Sequence, residues 1–369
     1  MNDGSNHDMH QGTGQEDSRP QSSARNVKVG EQVSKYGIWL GEDRGVYDMR
    51  NQLNDLTGKE WLQLTKSVWY SERCGEDKVA FEHPAPFLIR DIEKLVSLFT
   101  KRGELVLDPF VGSGTTLVAC ARLHREGIGV ELNRDFVEDL VIPRLQPYTG
   151  ERAEIQISFF DKLGDNSIVE IPPEPAEIPP DIVNERKQFW QNVSRQEQHH
   201  LLTGIDGCKQ AVMIGDARDI LDTIPPIDYC VTSPPYHNIL KHEGGGVRHD
   251  NSQTRQGVEF YSDDPSDLGN LDSYREYLEA LTFIMAKVYE KLRVGKYCSV
   301  IISDFTVDRR ETNVHGDVIS MMKDTLGLTF MGTTILAQDS KPLYPFGYPY
   351  QYRINHVHQY ILNFSKMAD

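Results

Sequence analysis

Glu104-Leu105-Val106-Leu107-Asp108-Pro109-Phe110-Val111-Gly112-Ser113-Gly114-Thr115-Thr116 decides how the rest of the chain is read. Its first five residues form a nearly continuous apolar run, the pattern of a parallel strand buried on both faces. A Gly-rich turn follows, then a helical pattern over 116–123 and a second apolar run, Gly127-Ile128-Gly129-Val130-Glu131. This is a strand-turn-helix-strand unit closed by an acid. In such sheets ligands sit at the carboxyl ends of the strands, beside the helix N-terminus. The turn lacks the Gly-Lys-Ser/Thr of a nucleotide P-loop. It also lacks the first and third glycines of the dinucleotide pattern, Phe110 standing where the first would be.

The alternation continues beyond an interruption. Residues 210–216 read as a third strand ending in Asp216, 219–224 as a short helix, and 228–232 as a fourth strand. That fourth strand delivers Thr232-Ser233-Pro234-Pro235-Tyr236-His237. Two consecutive prolines fix φ at about −65° and remove two backbone donors, so the turn exposes carbonyl acceptors capped by an aromatic ring. An amphipathic helix over 271–292 and strands at 297–303, 330–337 and 358–364 complete the pattern, with a further helix at 317–326. The expected fold is α/β, Rossmann-like and doubly wound, with a mostly parallel seven-stranded sheet and an insertion.

The division expected along the chain is a disordered tail at 1–26, poor in aliphatic residues, then an aromatic-rich extension at 27–78 that packs on the core. The cofactor-binding half covers 79–147, a Pro/Glu-rich linker and polar helix (184–202) occupy 148–208, and the catalytic half covers 209–369. Its loops near 237–267 and 339–356 carry basic and aromatic residues suited to target recognition. Five scattered cysteines without a Cys-x-x-Cys pair argue against a disulfide framework or a zinc site, and no metal is expected. No long apolar run or signal sequence occurs, which points to a cytoplasmic protein with no membrane association. The net charge of −16 runs against phosphate binding and requires any nucleic-acid contact to be local.

The Gly turn and the Ser-Pro-Pro-Tyr turn together resemble the amino-methyltransferases that modify exocyclic nitrogens of DNA bases, over roughly Val79 to Lys366. The resemblance implies S-adenosyl-L-methionine as cofactor, double-stranded DNA as substrate and a possible cognate restriction endonuclease; it leaves the oligomeric state unknown. It implies cofactor contacts from His83, Pro84, Asp108, Phe110, Gly112, Ser113, Gly114 and Thr115, ribose binding by Glu131, and adenine-amine binding by Asp216. Asp216 read alone also suits a helix cap. Ser233, Pro234, Pro235 and Tyr236 would be catalytic, the first two as acceptors for the target amine and Tyr236 as a stacking ring. Ser before Pro-Pro-Tyr resembles the cytosine-N4 subset, with adenine-N6 the alternative. An RNA methyltransferase and a non-catalytic cofactor-binding relative are the other readings. His237 reads as an ordinary surface histidine.

Overall fold

The computed structural model describes residues 27–80, 87–149, 176–204, 207–237, 264–307, 310–339, 341–345 and 347–368. In chain order the strands are β1 (Gln32–Ser34), β2 (Gly37–Trp39), β3 (Val46–Asp48), β4 (Val68–Tyr70), β5 (Leu105–Asp108), β6 (Glu126–Glu131), β7 (His200–Thr203), β8 (Lys209–Ile214), β9 (Ile227–Thr232), β10 (Leu292–Ile302), β11 (Phe305–Val307), β12 (Arg310–Thr312), β13 (Thr329–Ala337) and β14 (His358–Ser365). Nine of them build one sheet in the order β4-β13-β14-β10-β9-β5-β6-β8-β7. The β10, β9, β5, β6 and β8 neighbours are parallel, whereas β14 runs antiparallel to both β10 and β13.

The sheet is therefore two strands wider than expected, and both additions sit at its edges. β4 comes from the N-terminal extension and pairs with β13, while β7 comes from the insertion and pairs antiparallel with β8. The helix expected over 184–202 spans Pro180–Val193 instead. Its Phe189, Trp190 and Val193 join the main core, and its buried Arg186 donates to Asp228 at 2.8 Å and to the Pro226 carbonyl. His200-Leu-Leu-Thr becomes a strand because β8 offers it an open edge, a partner that local periodicity does not reveal. Residues 1–26, most of the Pro/Glu-rich linker and 238–263 lie outside the described residues.

Burial explains the strand pattern. All four residues of β5 and all six of β9 are buried, as a strand covered on both faces requires. Helix Ile89–Phe99 seals one face with Ile89, Ile92, Leu95 and Val96, each side chain contributing about 1.5–3 kcal/mol by its removal from water. Helix Tyr274–Lys291 seals the other with Tyr277, Leu281, Ile284 and Val288. A capping box, Ser273 with Glu276, fixes where it begins. The extension packs Leu56, Leu64 and Trp69 against Ile92 and Val96. Among the described residues no helix is long and apolar enough to cross a membrane.

Candidate active site

The strand order reverses between β5, which leads to β6 and β8, and β9, which returns beside it. A crevice at the carboxyl edge belongs at such a reversal. It is there: a cleft of about 850 Å³, open solvent at its mouth included, is lined by Phe87, Phe110, Gly112, Ser113, Thr115, Glu131, Phe136, Asp216, Asp267 and the whole Ser233–Tyr236 turn, among others. The two turns that the sequence separates by more than a hundred residues thus share one cavity.

Asp108 lies beneath this cleft and does not line it. Its buried carboxylate accepts from Thr116 Oγ1 at 2.6 Å, from Thr232 Oγ1 at 2.7 Å and from the Phe110 N–H at 3.1 Å. Burial pushes its pKa up to about 6 against the opposing effect of these bonds. One carboxylate thereby ties the helix after the Gly turn to the last residue of β9, immediately before Ser233. Thr232 was not singled out in the sequence, though it is the polar end of an otherwise apolar strand.

Glu131, half-buried at the end of β6, accepts the Gly112 N–H on one oxygen and the Asn133 N–H on the other, both at 2.9 Å. Burial raises its pKa to about 7, with the nearby Asp267 and Asp108 adding to the shift. Each of its oxygens keeps a lone pair for a further donor, so the group is suited to two adjacent hydroxyls. Beside it Leu132, Phe136 and Ala217 supply apolar walls for a flat ring, and Ser113 and Thr115 supply polar groups at the helix N-terminus. These residues fit an adenosine joined to an amino acid.

The remaining members of the Gly turn divide their tasks. Phe110 and Gly112 line the cleft, whereas Gly114 faces away from it. At φ +79°, a Cβ on Gly114 would sit 2.7 Å from Val141 Cγ1, so the glycine permits close packing against the helix behind. That helix carries a π-type turn at Val137–Val141 and then Arg144. Buried Arg144 Nη1 donates to the Ser113 carbonyl at 2.5 Å, to Ser113 Oγ at 3.2 Å and to Thr115 Oγ1 at 3.0 Å. Burial lowers its pKa. An arginine among the apolar Val137, Val141 and Leu145 was the available signal for this support. His83 and Pro84 lie outside the described residues.

Asp216 lines the cleft and also caps helix Ala217–Ile220. Its Oδ1 accepts the Arg218 N–H at 2.8 Å, and both oxygens pair with the Arg218 guanidinium. Arg218 in turn holds the Ser266 carbonyl at 2.7 Å, which brings Asp267 and Leu268 onto the wall opposite.

In the second turn, Pro234 is buried while Ser233, Pro235 and Tyr236 are half-buried, and all four line the cavity. Gln359 Nε2 donates to Tyr236 Oη at 3.0 Å, and the edge of Phe305 meets the tyrosine ring with centroids 5.8 Å apart. The ring is held from its tip and from its side. His237 is not the surface residue expected. It is 4% exposed, its Nε2 lies 3.0 Å from the Leu271 carbonyl, and it packs against Tyr274 and Tyr277, partners that fold in from a distant helix.

Residues 17–142 match a family described as DNA methylase. The chain is 37% identical over 93 residues to the Type II methyltransferase M2.DpnII of Streptococcus pneumoniae, a stretch covering 25% of this chain and 32% of that protein. It is 44% identical over 81 residues to the Type II methyltransferase M.Cfr9I of Citrobacter freundii, covering 22% and 26%. The chain spans about a third or less of the length of the curated relatives it matches first. Among solved structures, a DNA modification methylase from Thermus thermophilus in complex with S-adenosyl-L-methionine is similar at 22% identity, over 42% of this chain and 54% of that one, with a TM-score of 0.28. The segment that matches the DNA methylase family contains the entire Gly turn and Glu131, and the second turn faces them across one cleft.

Proposed function

We propose that this chain methylates the exocyclic amine of a base in DNA, with cytosine N4 as the acceptor. The observation that carries the reading is the juxtaposition of Ser233–Tyr236 with Glu131 and the Gly turn in a single cleft. Glu131 would accept the ribose hydroxyls of S-adenosylmethionine, Asp216 the adenine amine, and Ser113 and Thr115 would bind its amino-acid end. When bound, that cofactor supplies an electrophilic methyl on a sulfonium.

The rest of the work falls to this chain's own groups. An exocyclic amine on a pyrimidine or purine is a weak nucleophile because its lone pair is delocalised into the ring. The Pro234 carbonyl and the Ser233 hydroxyl accept hydrogen bonds from its two N–H groups and favour a tetrahedral nitrogen, which sheds one proton to solvent after the methyl is transferred. Tyr236, fixed by Gln359 and Phe305, stacks on a base that has left the duplex. The Asp108 bridge sets the distance between the acceptor turn and the cofactor turn, so alignment is built before the substrate arrives. Ser233 in place of an amide or acid supports cytosine over adenine.

The test is incubation with isotopically labelled S-adenosylmethionine and unmethylated duplex DNA, then nucleoside mass spectrometry. Labelled N4-methylcytosine is expected. Labelled N6-methyladenine would reassign the base, and no labelled nucleoside from DNA would sink the activity. The sequence context of the modified base then names the site at which a cognate restriction endonuclease would act.

A further inference from the structure

The segment joining β13 to β14 presents aromatic rings to solvent. Tyr348, Tyr350 and Tyr352 are 81%, 94% and 88% exposed, more than any other large hydrophobic side chain among the described residues. Three phenols left in water within five residues form a concentrated aromatic surface of the kind that marks an interaction site. The segment is tied down while its rings stay out. Asn355 exchanges hydrogen bonds with the Tyr344 N–H at 2.9 Å and its carbonyl at 2.8 Å, and the Gly347 carbonyl accepts from both Tyr350 and Gln351 at 2.8 Å.

Charge and position say what the partner is. The chain has 55 acidic residues against 39 basic ones, yet from residue 340 to 368 there is no Asp or Glu, while Lys341 and Arg353 bracket the tyrosines. The base of the segment is wired to the acceptor turn: Gln338 Nε2 donates to Gln359 Oε1 at 2.9 Å, and Gln359 donates to Tyr236 Oη. β13 runs parallel to the central strands' direction and β14 returns, so the connection emerges on the same sheet edge as Ser233.

We propose that Tyr348, Tyr350 and Tyr352 form a stacking face for DNA bases next to the extruded one, with Lys341 and Arg353 on the flanking phosphates. The proposal rests on the DNA-methylating reading and extends it from the reacting base to the strand around it. Exposed rings stack on any base face, and flanking cations add a salt-dependent phosphate contact. The tyrosine patch supplies contact that the acidic bulk of the chain cannot.

The test uses the full chain with S-adenosylhomocysteine present and fluorescein-labelled mixed-sequence DNA, single- and double-stranded, read by anisotropy. Combined Tyr348→Ala, Tyr350→Ala and Tyr352→Ala is expected to weaken binding at least about tenfold, given the usual contribution of each stacked ring. The three Phe substitutions should stay near wild type. Lys341→Ala with Arg353→Ala should lessen the slope of log affinity against log salt by about 1.4 on single strands and about 1.8 on duplex. Cofactor affinity should not change in any of them. DNA binding by the Ala variant equal to wild type overturns the proposal, as does a change confined to self-association in sedimentation. A wild-type chain that binds neither probe overturns both this and the activity, whereas DNA binding without methyl transfer removes only the activity.

Discussion

Replacing Thr232 with Val tests whether the Asp108 bridge sets the catalytic distance. The substitution keeps the side chain's shape and removes one of the three donors on the buried carboxylate. A hydrogen bond to a charged group contributes about 1.5–3 kcal/mol, so unfolding free energy should fall by about that amount. Thr116 and the Phe110 N–H still hold Asp108, which leaves the cofactor side in place. The acceptor turn, one residue beyond Thr232, loses its tether. A shift of the order of 1 Å in a reacting group costs about a hundredfold, so kcat should drop about 10–100-fold while cofactor Kd stays within about twofold. Single-turnover methyl transfer, calorimetric cofactor binding and urea unfolding separate these quantities. Asp108→Asn sharpens the comparison. Its remaining oxygen is required by the two donors now on Oδ1, so its amide must face Thr116, whose hydroxyl then accepts instead of donating, and the change should appear in cofactor binding and not in kcat. A Thr232→Val variant that loses stability but keeps wild-type kcat would refute the bridge.

Three other perturbations have definite outcomes. Glu131 is held at about 7, and its ionised form is the one that accepts two hydroxyls. Cofactor affinity should therefore be flat above about pH 7 and fall by up to about tenfold per unit below it, with proton release on binding in calorimetry near neutrality. The sign for stability is opposite: a carboxyl raised from 4.5 weakens the cofactor-free chain as pH rises to about 7, so added cofactor should raise Tm more at pH 8 than at pH 6. Gly114→Ala combines a left-handed backbone with a contact 2.7 Å from Val141 Cγ1, and should cost about 2–5 kcal/mol in urea unfolding. Arg144→Met keeps the buried stem but releases Ser113 and Thr115, and should weaken cofactor binding about tenfold by calorimetry, with kcat at saturating cofactor nearly unchanged.

What could be read from the chain without its fold follows a physical divide. β5, β6, β8 and β9 were legible because strands buried on both faces need unbroken apolar runs, and the Gly turn because its backbone demands leave few alternatives. β7 was not, since His200-Leu-Leu-Thr is a strand only by virtue of the edge it meets. Asp108 shows the limit at the level of a side chain. Its place at a strand end suggested a ligand contact, and only the arrival of Thr232 from the far half of the chain turned it inward. His237 was misread for the same reason, its surroundings being supplied by residues 271–277. Asp216 combines helix capping with a place on the cleft wall, and a sequence cannot rank two uses that one carboxylate serves together.

The pairing of β4 with β13 also constrains the chain while it is being made. Val68 finds its partner only when Ile335 has left the ribosome, and Tyr70 only when Ala337 has. Until then the nascent polypeptide carries an orphan strand, with Trp69 uncovered on one side, while the residues between 70 and 335 are made. The central parallel strands can associate earlier, but the sheet cannot close at that edge until residues 335–337 are free of the ribosome. Closure is a long-range step, so the chain should be most prone to aggregate while that edge is open, and a chaperone that shields the segment around Trp69 should raise its yield.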